Sequence, residues 1–279
     1  MTRSVRLPDG TDIPALGQGT WHMGESRRSV ADEIDALRLG IELGMTLIDT
    51  AEMYGNGAAE EIVGKAITGQ RDKVFIVTKV YPHNASRTGI PAACARSLKR
   101  LGTDRIDLYM LHWQGNHPLA ETVHAFERLR EAGTIRYWGV SNFDADDMQD
   151  LAGVHRADAC ATDQVLYNPQ TRGIEFDLLP WCKTHRMPVM AYSPVGQGGA
   201  LLHSPALAAV AKRHGATPAQ IAIAWTLRAG NVISIPKAAD PDHVRANAAA
   251  GAITLTSADL AEIDAQHKPP ARKQSLSIL

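Results

Sequence analysis

Eight short apolar runs recur along the chain, centred near Leu16, Leu47, Ile76, Leu108, Trp138, Ala161, Met190 and Ile233. Most of the intervals are roughly 30 residues, the length of a strand–helix unit that brings the next strand back parallel to the last. The stretches between carry helical periodicity. Val30, Ile34, Leu37 and Ile41 fall on one helical face, and Val123, Phe126 and Leu129 repeat the pattern. Thr217 followed by Pro218 reads as an N-cap with proline at the first helical position. Strands alternating with helices imply a parallel sheet with right-handed crossovers. Eight such units within 279 residues predict an α/β chain folded as a (β/α)8 TIM barrel, rather than an open doubly wound sheet. The longer last interval predicts an extra helix. Val5 to Ile13, turning at Asp9-Gly10, predicts an N-terminal β-hairpin cap.

No Pro-rich, Ser-rich or charged linker divides the chain, so residues 1–279 are expected to form a single domain. The segment 268–279, KPPARKQSLSIL, lacks periodicity and reads as a mobile flap. Lys plus Arg number 29 against 30 Asp plus Glu, a formal charge of −1. That gives no general attraction to nucleic acid or an anionic membrane. No apolar run approaches the ~20 residues of a membrane helix. The first residues lack the apolar core of a signal peptide, which predicts a cytoplasmic protein. No heptad pattern is present, and a monomer is expected. The three cysteines, Cys94, Cys160 and Cys182, form no CxxC pair. They predict buried thiols rather than disulfides or a metal centre.

The glycine-rich nucleotide fingerprints are missing. Gly17-Gln18-Gly19 is followed by Thr20, Trp21 and His22, without the third glycine of GxGxxG, and Gly196-Gln197-Gly198-Gly199 also fails the spacing. Any nucleotide bound here must be held by another device.

In a barrel of this kind the chemistry sits where strands end. The runs are followed by Asp49, then Met53 and Tyr54; by Lys79; by His112 and Trp113; by Ser141 and Asn142; by Gln164; by Tyr192 and Ser193; and by Pro236 and Lys237. Singly, each has an ordinary reading as a turn, strand-end or packed residue. Barrel topology brings them to one mouth. A tyrosine hydroxyl has an unperturbed pKa of about 10, too high for easy proton exchange at neutral pH. An ammonium at ~4 Å contributes about 4 kcal/mol at an effective dielectric of ~20. Lowering the pKa by two units takes only about 2.7 kcal/mol. Lys79 is therefore expected to pull the Tyr54 pKa down, with Asp49 keeping Lys79 charged and His112 beside Tyr54 at a carbonyl oxygen. With a hydride source this set makes a carbonyl reductase.

At this point the residues resemble the aldo-keto reductase family. Asp49-Thr50-Ala51-Glu52-Met53-Tyr54-Gly55-Asn56 is similar to its signature after the second strand. Gly102 to His112, Gly139-Val140-Ser141-Asn142-Phe143, Ala191-Tyr192-Ser193-Pro194 and Ile235-Pro236-Lys237 also match, and the likeness runs from the hairpin to about Leu260. The resemblance implies the same barrel, NADP(H) bound without a glycine-rich loop, and a small carbonyl substrate. It implies Asp49, Tyr54, Lys79 and His112 as the catalytic tetrad, with Tyr54 the proton donor. Ser141, Asn142 and Gln164 would hold the nicotinamide carboxamide and Tyr192 would stack on the ring. Ser193, Pro194, Val195, Gly196 and Gln197 would wrap the pyrophosphate. Ile235, Pro236 and Lys237 would reach the adenosine 2′-phosphate, with Asn247 at the adenine. Gly19, Thr20 and Trp21 would lie near both cofactor and substrate.

The chain departs from that pattern at the far end of the cofactor. Ala238 stands where the family usually has serine, His243 where it has arginine, and Ala246 where an acidic contact is common. A charged hydrogen bond is worth about 1.5–3 kcal/mol, roughly 10- to 150-fold in affinity. NADPH is still expected over NADH through Lys237, with reduced selectivity, and Arg245 is a candidate to compensate. Trp21, Met53 and Trp113, with the 268–279 tail, are expected to wall the substrate pocket, which suits a small aldehyde or ketone such as a 2-oxoaldehyde. Two other readings stand beside this one: a Schiff-base aldolase using Lys79, and a non-catalytic NADPH-binding regulator on the same fold.

Overall fold

A computed structural model describes residues 3–25 and 28–279. The hairpin forms as expected. Strands β1 (Ser4–Arg6) and β2 (Asp12–Pro14) pair antiparallel with Val5 opposite Ile13. Gly10 turns with φ +92°, a conformation that favours glycine. The barrel strands are β3 (Gly17–Gly19), β4 (Leu47–Asp49), β5 (Phe75–Val80), β6 (Ile106–Leu111), β7 (Ile135–Ser141), β8 (Cys160–Leu166), β9 (Val189–Tyr192) and β10 (Val232–Ser234). They lie in sequential order and every neighbouring pair is parallel. Parallel bridges Leu16–Ser234 and Gly19–Lys237 bring the first strand onto the last.

The helices between strands are α1 (Val30–Glu42), α2 (Ala58–Ile67), α3 (Gly89–Leu101), α4 (Leu119–Glu131), α5 (Ala145–Ala152) and α6 (Leu178–Thr184). The longer last interval holds two, α7 (Pro205–His214) and α8 (Pro218–Thr226), and α9 (Pro241–Ala250) and α10 (Ser257–Gln266) follow β10. Three of the four residues expected on the buried α1 face, Ile34, Leu37 and Ile41, pack on the core, and Glu33, Ala36 and Gly40 are buried with them, while Val30 is exposed. Gly40 lets the Gln18 side chain lie against the helix, where its amide donates to Leu37 O and Met45 O. In α8 the Thr217 cap forms as read, as a reciprocal capping box with Gln220.

Side chains alternate along the strands, so each strand feeds two cores. Leu47, Phe75, Val77, Leu108, Met110, Ala161, Met190 and Ile233 pack in one cluster with Val5, Leu7 and Ile13 of the hairpin. Ile48, Ile76, Tyr109, Leu111 and Trp138 face the helices instead. On β5 the alternation that turns Phe75 and Val77 inward carries Lys79 inward too, at the C-terminal end of the strand. The segment 268–279 forms no helix or strand. Within it Lys273 pairs with Asp146 at 2.6 Å and Leu276 packs on the core; just before it, Arg172 donates to Asp264 Oδ1 at 2.6 Å and to His267 O at 2.5 Å. Among the described residues no helix is long and apolar enough to cross a membrane.

Candidate active site

Lys79 is fully buried, so its ammonium must find its partners inside the protein. Its Nζ donates to Asp49 Oδ1 and Oδ2, both at 2.8 Å, and to Thr50 O at 2.9 Å, and lies 3.3 Å from the Tyr54 hydroxyl. Asp49 also accepts from Gln164 Nε2 at 2.8 Å. Burial lowers the pKa of Lys79 and raises that of Asp49, and each one's charge opposes the other's shift. A second buried carboxylate, Glu60, also favours the charged ammonium. Glu60 accepts from the Thr78 hydroxyl and from Arg100 Nε, each at 2.6 Å. Sequence reasoning passed over Glu60, because its relation to Lys79 depends on how α2 packs on β5.

Tyr54 follows β4 in a short 3-10 turn, Tyr54–Gly57. Three successive residues there have positive φ: Gly55 at 57°, Asn56 at 53° and Gly57 at 93°. This turn sets the phenol edge-on to His112, with ring centroids 5.7 Å apart. The expectation that Lys79 draws the Tyr54 pKa down is corrected here. Burial, and then the charge of Asp49, hold it well above the ordinary value, because Asp49 largely cancels the ammonium beside it. Tyr54 is thus a neutral phenol with its proton in place. His112 is held down to about 2 by burial and by Lys79, so its imidazole is neutral, and its Nδ1 is buried without a hydrogen-bond partner.

Asp49, Tyr54 and His112 line a cavity of about 790 Å³, with Lys79 beside them. Trp21, Met53 and Trp113 line the same cavity, together with His22 and the tail residues Ile278 and Leu279. Ser141, Asn142, Gln164 and Tyr192 also line it. Asn142, at φ 59°, donates to His112 O at 3.0 Å and accepts from Tyr192 OH at 2.9 Å, and Ser141 donates to Gln164 O at 2.8 Å. Ser193, Pro194, Val195 and Gln197 continue the wall, and Gly19, Thr20, Ile235, Lys237, His243, Ala246 and Asn247 complete it.

Four expected site residues and one candidate do not line the cavity. Lys79 lies beneath it. Gly196 turns its loop with φ 58°. Pro236 presents its carbonyl to Gly19 N, where the barrel closes. Ala238 lies outside the wall, and Arg245 is exposed on α9. Thr217, Pro218 and Ala219, at the N-terminus of α8, do line it and were missed as site residues. Their signal was the N-cap itself, since exposed N–H groups at a helix start suit anionic groups. The cavity wall thus combines a proton-bearing phenol beside a neutral imidazole, a group of side-chain amides, a lysine and a helix start. The donor set suits a ligand that carries an amide and phosphate groups. Among the described residues no cluster suits a metal ion.

Comparison with known proteins agrees with this geometry. The model described as the Aldo/keto reductase family matches residues 15–268. Methylglyoxal reductase YeaE of Escherichia coli K12 is 48% identical over 281 aligned residues, covering 99% of both chains. An aldo-keto reductase of Klebsiella pneumoniae solved with NADPH superposes with a TM-score of 0.97 at 48% identity, covering 100% of each chain. The Klebsiella pneumoniae structure with NADP and acetate gives the same values.

Proposed function

The chain belongs to the aldo/keto reductase family, and from that premise we propose that it reduces small aldehydes and ketones to alcohols with NADPH, using Tyr54 as the proton donor. The observation that carries this reading is the buried Asp49–Lys79 pair beside the Tyr54 hydroxyl, with neutral His112 alongside, in the wall of the cavity. A nicotinamide coenzyme bound in that cavity supplies the hydride. Ser141, Asn142 and Gln164 would hold its carboxamide, Tyr192 its ring, Ser193 to Gln197 its pyrophosphate, and Lys237 and Asn247 its adenosine end.

The residues of the chain do the rest. Trp21, Met53, Trp113 and Leu279 offer an apolar wall that suits a small carbonyl compound and excludes water from it. His112 donates a hydrogen bond to the carbonyl oxygen without carrying a charge of its own. Tyr54 transfers its proton to that oxygen as negative charge develops there. The Lys79 ammonium, 3.3 Å away, stabilises the phenolate left behind. A 2-oxoaldehyde is the preferred substrate class, supported by the similarity to the methylglyoxal reductase. Lys79 is buried and fully engaged, which argues against a Schiff-base role.

The enzyme is proposed to act as a single-domain monomer in the cytoplasm. Its three cysteines are buried free thiols. A panel of aldehydes, ketones and 2-oxoaldehydes, with NADPH consumption followed optically, tests the reading. Turnover of 2-oxoaldehydes is expected; a purified protein that binds NADPH and reduces nothing in the panel would contradict it.

A further inference from the structure

The loss of the family's arginine at position 243 leaves Lys237 as the obvious cation at the adenosine end. The structure brings a second one there from the other side. Arg28 lies on the loop between β3 and α1, and its Nη2 donates to Asp240 Oδ2 at 2.8 Å across 212 residues of sequence. Asp240 is the N-cap of α9, midway between Lys237 and His243, both of which line the cavity. We propose that Arg28 is a coenzyme-selecting residue of this chain, which joins Lys237 in binding the adenosine 2′-phosphate. The assignment rests on the NADP(H) reading above.

Three observations carry it. First, α9 begins with two carboxylates, Asp240 at its cap and Asp242 in its first turn. Uncompensated, they would repel a 2′-phosphate, and the guanidinium neutralises the nearer one. Second, Lys237 feels both buried Glu33, whose charge favours its protonation, and Arg28, whose charge opposes it, so two cations and one carboxylate share this corner. Third, a guanidinium is a planar fork of five donors that matches a phosphate, and the Arg28–Asp240 pair holds this one beside the segment between Lys237 and His243. NADH lacks the 2′-phosphate, so Arg28 affects it little.

The test uses probes without a nicotinamide, adenosine 2′,5′-bisphosphate and 5′-AMP, titrated calorimetrically into the full-length protein. Wild type is expected to prefer the bisphosphate. Arg28→Ala should weaken the bisphosphate about tenfold or more, with 5′-AMP unchanged, and Arg28→Lys should recover part of the loss. Arg28→Ala combined with Asp240→Asn should stay weak, since the phosphate contact is still missing. Full recovery in that double variant would reduce Arg28 to a neutraliser of Asp240 and overturn the assignment. So would equal weakening of both probes, or an unchanged Arg28→Ala variant in a protein that prefers the bisphosphate. A wild type that binds both probes alike would remove the NADP(H) reading and this assignment with it. Arg28 is on the surface, and matching thermal melts will show that the variants fold.

Discussion

Every proton of the Lys79 ammonium has an acceptor, and the group is fully buried. Replacing it with methionine leaves Asp49 as a buried charge with only Gln164 to hold it. Breaking such a pair costs about 3–5 kcal/mol, so Lys79→Met should lower stability by that order in urea unfolding. Adding Asp49→Asn should restore much of the stability but none of the activity. A double variant no more stable than Lys79→Met would contradict this view of the pair.

His112 makes a separate prediction. Its pKa is about 2 in the fold, against about 6.5 in the unfolded chain. Between those values the unfolded chain binds the proton and the folded one does not. Stability from this group is therefore full above about pH 6.5 and is lost as pH falls toward 2, by at most ~1.4 kcal/mol per pH unit. His112→Phe should flatten the acid side of a plot of urea midpoint against pH; an unchanged plot would contradict the neutral buried imidazole.

Among the elements, the turn that carries Tyr54 is the most constrained. Gly57 has φ +93°, and a Cβ there would lie 2.5 Å from Arg100 Cδ, whose side chain holds Glu60. Gly57→Ala should cost about 1–2 kcal/mol in backbone strain alone. A fall in melting temperature of about 2–4 °C is expected, with a lower kcat as Tyr54 shifts. A variant with wild-type melting and kcat would show that the turn tolerates a side chain.

The strands themselves were legible from their apolar runs, because a buried parallel strand reads as a continuous apolar stretch and ends sharply at a polar group. For the same reason Asp49, Lys79, His112, Ser141 and Gln164 could be placed from sequence. The full width of the α1 face was not legible, because it includes Glu33 and Gly40, which an apolar pattern does not count.

Across the molecule as a whole, the hairpin closes one end of the barrel and the cavity opens at the other. What the sequence hid is what only this arrangement brings together. The start of α8 joins the cavity wall, with only its N-cap as a signal, and Arg28 meets Asp240 across 212 residues of sequence with no local signature at all. The tail was expected at the cavity, and Ile278 and Leu279 line it. The tyrosine's electrostatics were misjudged for the same reason: pairwise attraction to Lys79 was foreseen, but not the burial and the Asp49 charge that outweigh it.

The central claim is that a buried neutral Tyr54 delivers the proton to a bound carbonyl. The most direct measurement compares NADPH oxidation with methylglyoxal by wild type and Tyr54→Phe, with NADPH affinity determined for both. The expected result is turnover by wild type, a fall of about 10²–10⁴-fold in kcat for the variant, and equal NADPH affinity. A Tyr54→Phe enzyme that turns over at the wild-type rate would show that the proton comes from elsewhere.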